Sequence, residues 1–135
     1  MSAPKDELLQ RLRAGYEAFN RGDYDATVEW IHPDVVYKSP GGISELKGAE
    51  ALRAWMEPDA FEEQQSEVLE AEIEGNRALI RQRTRARGAG SGIEMEIESW
   101  AVWTFDDQGR VTRMETYLLT EEEEARRAFR GGSEE

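Results

Sequence analysis

The spacing of apolar residues along this chain changes once, near residue 66. Before that point the period is helical. Leu8, Leu9, Leu12, Tyr16 and Phe19 fall on one stripe of residues 5–20, the pattern of an amphipathic helix. Gly22 stops that helix, and Asp23 is placed to cap a second, short one with Val28, Trp30 and Ile31 as its apolar residues. Pro33-Asp34 ends the second helix, and Val35, Val36 and Tyr37 read as a strand. Pro40-Gly41-Gly42 breaks the strand. Residues 47–57 predict a third helix with Leu52, Trp55 and Met56 turned inward. The polar stretch Glu57 to Gln65, around Phe61, reads as a loop or a loose helical turn.

From Glu67 onward the period is two. Leu69, Ala71 and Ile73 alternate with Glu70, Glu72 and Glu74, and Gly75-Asn76 makes a turn. Ile80, Gln82, Thr84 and Ala86 then alternate with Arg81, Arg83, Arg85 and Arg87. Gly88 to Gly92 is a hairpin connection. Met95, Ile97, Ser99, Ala101, Trp103 and Phe105 form the inward set of the next strand. Asp106-Asp107-Gln108-Gly109 is a turn, and residues 110–119 form the last strand, with Met114, Thr116 and Leu118 inward. Glu121 to Arg130 reads as a short charged helix or a frayed tail, and Gly131 to Glu135 as disordered.

The outer face of this sheet carries a Glu strand, an Arg strand and a Glu strand in succession. Antiparallel neighbours bring those charges together, so the four arginines read as a cross-strand ion ladder rather than an anion site. The ladder's expected role is to fix register and keep the edge soluble, since surface pairs contribute only about 0–1 kcal/mol each.

Composition narrows the partners. A chain of 135 residues reads as a single domain, with an ordered core expected over residues 6–120 and a charged C-terminal tail. Hydrophobic residues are 39% and the formal net charge is -12, which disfavours nucleic acid and anionic membranes as partners. No apolar run reaches membrane-spanning length and no leader segment is evident, so the expected location is cytoplasmic. The absence of cysteine removes disulfides and thiol chemistry. A single histidine with no cysteine argues against zinc, and Asp23/Asp25 lack the Gly and closing Glu of a calcium loop, so no metal and no cofactor are expected. The Gly88/Gly90/Gly92 run precedes a strand instead of a helix and does not read as a dinucleotide loop.

The order of elements, with His32-Pro33-Asp34-Val35-Val36-Tyr37, then Lys47-Gly48, then Asp107-Gln108-Gly109-Arg110-Val111, resembles the nuclear transport factor 2-like superfamily in its SnoaL-like, or polyketide-cyclase-like, branch. The resemblance spans roughly residues 6–120. It implies an α+β cone, with N-terminal helices packed in a curved antiparallel or mixed sheet around a deep apolar pocket. Members of this fold include isomerases, cyclases, dehydratases, epoxide hydrolases and non-catalytic binders.

The steroid isomerases of this fold use a tyrosine and two carboxylic acids, one of them held neutral to donate to an oxyanion. By resemblance Tyr16 matches the tyrosine, the general-base position falls on Ser39, and the second acid falls on Ala101. Serine is not basic without a partner, and alanine cannot donate, so that mechanism is not expected. The Asp-Arg-Asp triad of limonene epoxide hydrolases has no match on the inward strand positions.

The remaining candidates are neutral. Tyr16 is the expected donor to a developing oxyanion. His32 has a suitable pKa range for acid-base work, and also reads as a helix C-terminal group. Tyr37, Ser39, Trp55, Gln82, Thr84, Ser99, Trp103, Met114 and Thr116 are the expected ligand-binding residues. Aromatics and scattered neutral hydrogen-bonding groups on an apolar wall suit a small apolar or weakly polar molecule. Two function classes follow: an isomerase or cyclase of an apolar cyclic or polyketide-like substrate, or a catalytically silent binding or assembly domain. Trp100 and Val102, outward among charges, predict a homodimer through the outer sheet face.

Overall fold

The computed structural model describes residues 4–39, 45–56, 61–88 and 92–131. Helix α1 (Lys5–Asn20) and a single-turn helix α2 (Tyr24–Thr27) come first. Strands β1 (Ile31–Lys38) and β2 (Glu45–Lys47) follow, then α3 (Ala49–Met56). The long strands are β3 (Phe61–Glu74), β4 (Arg77–Gly88), β5 (Glu94–Phe105) and β6 (Val111–Leu118). A 3₁₀ turn (Leu119–Glu121) leads into α4 (Glu122–Phe129). The strands form one sheet in the order β2-β1-β6-β5-β4-β3, antiparallel except for the parallel pair β1 and β6.

Helix α1 forms where the stripe places it. Leu8 and Leu12 are buried, and Leu9, Tyr16 and Phe19 pack against the same core. The Asp23 side chain caps α2 by accepting from the Ala26 amide at 3.1 Å. That helix is shorter than the pattern predicts. Ile31 already pairs with Val111, and the Val111 amide donates to the Trp30 carbonyl at 2.8 Å. The strand therefore starts four residues earlier than expected. Pro33 is tolerated inside it because the β1–β6 register shifts between Ile31 and Val36, so no ladder bond is lost. His32 consequently lies on β1, not at a helix end. Trp30, expected in the core, is 41% exposed, with the Arg11 guanidinium 3.8 Å from its ring centroid.

Lys47, expected in the third helix, belongs to β2. Gly48 turns the chain from β2 into α3 at φ 97, and its amide donates to the Val35 carbonyl at 2.7 Å. A side chain would be strained in that conformation. The expected Pro40-Gly41-Gly42 bend lies outside the described residues.

The segment expected as a loop through Gln65 is a strand from Phe61, drawn into the sheet by pairing with β4. A register shift between Val68 and Glu70 reverses the alternation there. Val68 packs on the core in place of Leu69, while Ala71 and Ile73 keep their predicted side. Asn20 clamps the end of α1 to this strand. Its amide nitrogen donates to the Ser66 carbonyl at 2.8 Å, and its oxygen accepts from the Ser66 amide at 2.7 Å.

The arginine ladder lies on the outer face. Arg83 sits between Glu67 at 3.5 Å and Glu98 at 3.4 Å, and Arg81 between Glu70 at 3.2 Å and Glu98 at 2.9 Å. On the inner face β6 ends at Leu118 opposite Ser99, so Met95 and Ile97 lie beyond its reach and are exposed.

The outer face holds a second apolar cluster where a bare surface is expected. Trp100 is 5% and Val102 1% exposed, packed with Leu79 under Ala125, Ala128 and Phe129 of α4. The C-terminal segment is thus an ordered helix, and the packed chain runs to Phe129 instead of stopping near residue 120. Acidic residues in its first turn and Arg126 and Arg127 in its last complement the helix dipole. The chain's own helix occupies the surface through which Trp100 and Val102 would have met a second copy. Among the described residues no helix is long and apolar enough to cross a membrane.

Candidate functional site

The cone leaves a cavity of about 300 Å³ between α1, α3 and the inner face of the sheet. Leu12, Tyr16 and Phe19 of α1 form one wall. Ala101, Trp103, Met114 and Thr116 form the floor, with Gln82 and Thr84 beside them. Tyr37 and Trp55 close another side, their ring centroids 5.1 Å apart. Trp55, expected inward, is 57% exposed and stands at the rim, because Leu52 and Met56 take the buried face of α3.

The polar groups of the wall are joined to one another. The Tyr16 hydroxyl donates to Gln82 Oε1. Gln82 Nε2 donates to Ser99 Oγ at 3.0 Å, and Ser99 is a buried polar residue, 5% exposed. Ser66 and Thr84 share a hydrogen bond of 3.0 Å across β3 and β4. Thr116 Oγ1 donates to the Tyr37 hydroxyl at 3.5 Å. The Tyr16 ring stacks on Trp103.

The polar groups inside the cavity are neutral, while Arg11, Arg21 and Glu29 also contribute to its lining. Burial, and then the neighbouring Tyr37, push the Tyr16 phenol far above its ordinary value. Burial also raises Tyr37, partly offset by the hydrogen bond from Thr116. Both phenols therefore stay protonated at neutral pH and can serve as hydrogen-bonding groups, not as bases. Among the described lining residues the one carboxylate is Glu29, exposed on the rim. Arg83 and Arg85 do not line this cavity. They border a separate polar hollow of about 330 Å³ between α1 and β3, which shares Tyr16 and Ser66 with it.

Of the eleven sequence-predicted site residues, the cavity brings together eight: Tyr16, Tyr37, Trp55, Gln82, Thr84, Trp103, Met114 and Thr116. Ser99 lies behind Gln82 and reaches the site through it. Ser39 and His32 are not among the described lining residues. His32 Nδ1 is engaged by the Asp34 amide at 2.9 Å, a local turn contact on the irregular part of β1. Sequence reasoning missed Gln64 and Ser66, which line the cavity from β3. Reading the strand back to Phe61, against the Arg strand it pairs with, is the signal that would have found them. Among the described residues no group of three or more His, Asp or Glu side chains is placed to hold a metal.

Comparisons with known proteins agree with this architecture. The chain is similar to an NTF2-like protein of unknown function from Burkholderia pseudomallei, with TM-score 0.73, 24% identity, and coverage of 86% of this chain and 93% of that one. It is similar to a candidate polyketide cyclase from Sinorhizobium meliloti, with TM-score 0.65, 27% identity, and coverage of 79% and 93%. It is also similar to SalBIII, an epoxide hydrolase/cyclase-like enzyme of pyran ring formation in the polyether salinomycin, with TM-score 0.75, 18% identity, and coverage of 84% and 91%. No curated protein matches its sequence. Residues 12–114 match the SnoaL-like domain, and the chain belongs to that family, built on the NTF2-like fold.

Proposed function

We propose that this protein is a small-molecule enzyme of the isomerase or cyclase kind, acting on an apolar cyclic or polyketide-like substrate. The observation that carries the reading is the cavity itself: about 300 Å³, walled by aromatic and aliphatic side chains, with neutral hydrogen-bonding groups converging inside. That volume lies at the small end of ligand pockets and suits a molecule of one or a few rings. Membership of the SnoaL-like family and the similarity to a candidate polyketide cyclase support it.

The chemistry available is electrophilic assistance and confinement. A protonated phenol in a dry site polarises a carbonyl and stabilises charge that develops on its oxygen. Apolar walls hold a flexible substrate in a reactive conformation. With Tyr16 and Tyr37 protonated and His32 outside, proton abstraction falls to the substrate's own groups or to water.

A second reading is a binding domain without turnover, favoured by the lack of an inward carboxylate or imidazole among the described lining residues. Two measurements separate the readings. Tryptophan fluorescence titration with 1-tetralone should show saturable quenching, since Trp103 and Trp55 line the cavity. Conversion of 3-cyclohexenone to its conjugated isomer, followed by ultraviolet absorbance, should exceed the buffer rate and fall in Tyr37→Phe. Saturable binding without conversion leaves the binding domain. No saturable binding removes both.

A further inference from the structure

The hydrogen bonds behind the cavity wall give its two tyrosines opposite polarity. Tyr16 has a single hydroxyl proton, and that proton is directed to Gln82 Oε1. In this orientation of the Gln82 amide, its Nε2 donates to the buried Ser99 hydroxyl at 3.0 Å. What Tyr16 has left for a ligand is therefore oxygen lone pairs. Tyr37 is arranged the other way. Its oxygen accepts from Thr116 Oγ1 at 3.5 Å, which leaves its own proton without an acceptor among the described residues. The two phenols are close enough that charge on Tyr37 would be felt at Tyr16.

We propose that Tyr37, not Tyr16, is the hydrogen-bond donor to the ligand, that Tyr16 is an acceptor, and that the ligand is a cyclic molecule carrying a hydroxyl together with a carbonyl. This rests on the reading of the cavity as the ligand site. Tyr37 meets the carbonyl oxygen and Tyr16 receives the hydroxyl proton. Gln82 and Ser99 are positioning residues, which act by setting the direction of the Tyr16 hydroxyl. The expectation from sequence that Tyr16 donates to an oxyanion is thereby reversed.

The pattern restricts the substrate. A ketone alone leaves the Tyr16 oxygen without a donor inside an apolar cavity, and a buried unpaired polar group is costly. An alcohol or phenol alone leaves the Tyr37 proton unmet. A hydroxy-ketone or enol-ketone satisfies both ends at once.

The test uses matched bicyclic probes and fluorescence titration of the full chain. The probes are 1-tetralone, 5,6,7,8-tetrahydro-2-naphthol, tetralin, and the 1-tetralones with a hydroxyl at ring position 5, 6 or 7. At least one hydroxytetralone should bind more tightly than both single-group probes, each of which should bind more tightly than tetralin. Tyr37→Phe should weaken 1-tetralone roughly three- to tenfold and leave the naphthol unchanged, and Tyr16→Phe should do the reverse. Gln82→Met keeps the length of the side chain but removes the acceptor amide oxygen. It frees the Tyr16 proton, so 1-tetralone should gain affinity and the naphthol should lose it, a switch that loss of packing alone would not produce. Ser99→Ala should move preference in the same direction by letting the amide turn. Circular dichroism and urea midpoints confirm that each variant is folded.

Weakening of 1-tetralone by Tyr16→Phe, with Tyr37→Phe silent, would overturn the assignment while leaving the cavity as the ligand site. Equal loss of every probe in Gln82→Met would reduce Gln82 to a packing role and also overturn it. Failure of all probes, tetralin included, to bind the wild-type chain would remove the ligand site and the assignment with it.

Discussion

The ring of Tyr16 lies on Trp103 with centroids 5.6 Å apart and planes 12° from parallel. One residue comes from α1 and the other from the floor of the sheet, so this stack joins the two layers across the cavity. It also explains why the cavity persists. Tyr16 is tethered at its hydroxyl by Gln82 and at its face by Trp103, and cannot fold into the space it borders. Offset-stacked aromatic pairs contribute about 0.5–1.5 kcal/mol beyond their buried area. Trp103→Ala should therefore cost about 3–5 kcal/mol in urea unfolding, in the range for buried aromatic truncations. A loss below about 1 kcal/mol would show that the stack does not join the layers.

Alkaline pH should expose the cost of keeping Tyr16 neutral. Burial, then Tyr37, raise its folded-state pKa above the ordinary value of 10.0. A group whose folded pKa is raised contributes stability that is complete below the unfolded value and lost as pH rises through the folded one. Unfolding free energy should thus fall as pH rises above about 10, keep falling toward the folded-state pKa, and fall less in Tyr16→Phe. Equal slopes for the two proteins would assign the loss to other groups.

Asp106 should matter at the acid end. Burial alone would raise its pKa, but hydrogen bonds from the Arg110 and Gln108 amides and from the Arg110 side chain outweigh that and hold it below the ordinary value of 3.8. Its contribution is present above that value and is lost as pH falls through the folded pKa. Asp106→Asn should lower stability at neutral pH and show a shallower decline on acidification, read from urea midpoints. A decline as steep as the wild type's would place the acid sensitivity elsewhere.

Arg83→Ala should be mild. Its partners Glu67 and Glu98 are salt-bridged at 3.5 and 3.4 Å on a face open to solvent. A cost of about 1 kcal/mol or less, shrinking in high salt, is expected. A loss of several kcal/mol independent of salt would mean that Arg83 is a packing residue of the sheet.

Phe129→Ala tests the C-terminal helix. Phe129 is buried against the cluster of Trp100 and Val102. The substitution should cost about 3–5 kcal/mol and uncover the apolar strip beneath. Light scattering should then show more self-association than in the wild type. Wild-type stability and mass in this variant would show that α4 does not cover the outer face.

Several features were legible in the sequence because they depend on near neighbours. The α1 stripe from Leu8 to Phe19 needs only helical periodicity, and the Asp23 cap needs only the Ala26 amide three residues on. Strict alternation through β4 and β5 placed Gln82, Thr84 and Trp103 on the inner face and Arg83 opposite Glu98. Those placements survive because a two-residue period leaves no choice of side once one residue is assigned.

Distant partners decided the rest. Ile31 is strand because Val111, far along the chain, offers it a parallel ladder, and no local signal for that pairing exists at Trp30-Ile31-His32. That pairing took His32 away from a helix end and out of the site. The polar stretch ending at Gln65 is strand from Phe61 because β4 supplies hydrogen bonds and opposite charge, and a bulge then exchanged Leu69 for Val68. Trp100 and Val102 look exposed from alternation, which reports a sheet face but not what covers it. The covering segment reads only as a short charged helix or a frayed tail, because its buried side consists of Ala125, Ala128 and Phe129, too few apolar residues to announce a packed helix among the five charged residues of α4. The polarity of Tyr16 and Tyr37 belongs to the same class. Sequence supplied both phenols, but the direction of each proton follows from Gln82, Ser99 and Thr116, which meet them only once the sheet has curled around α1.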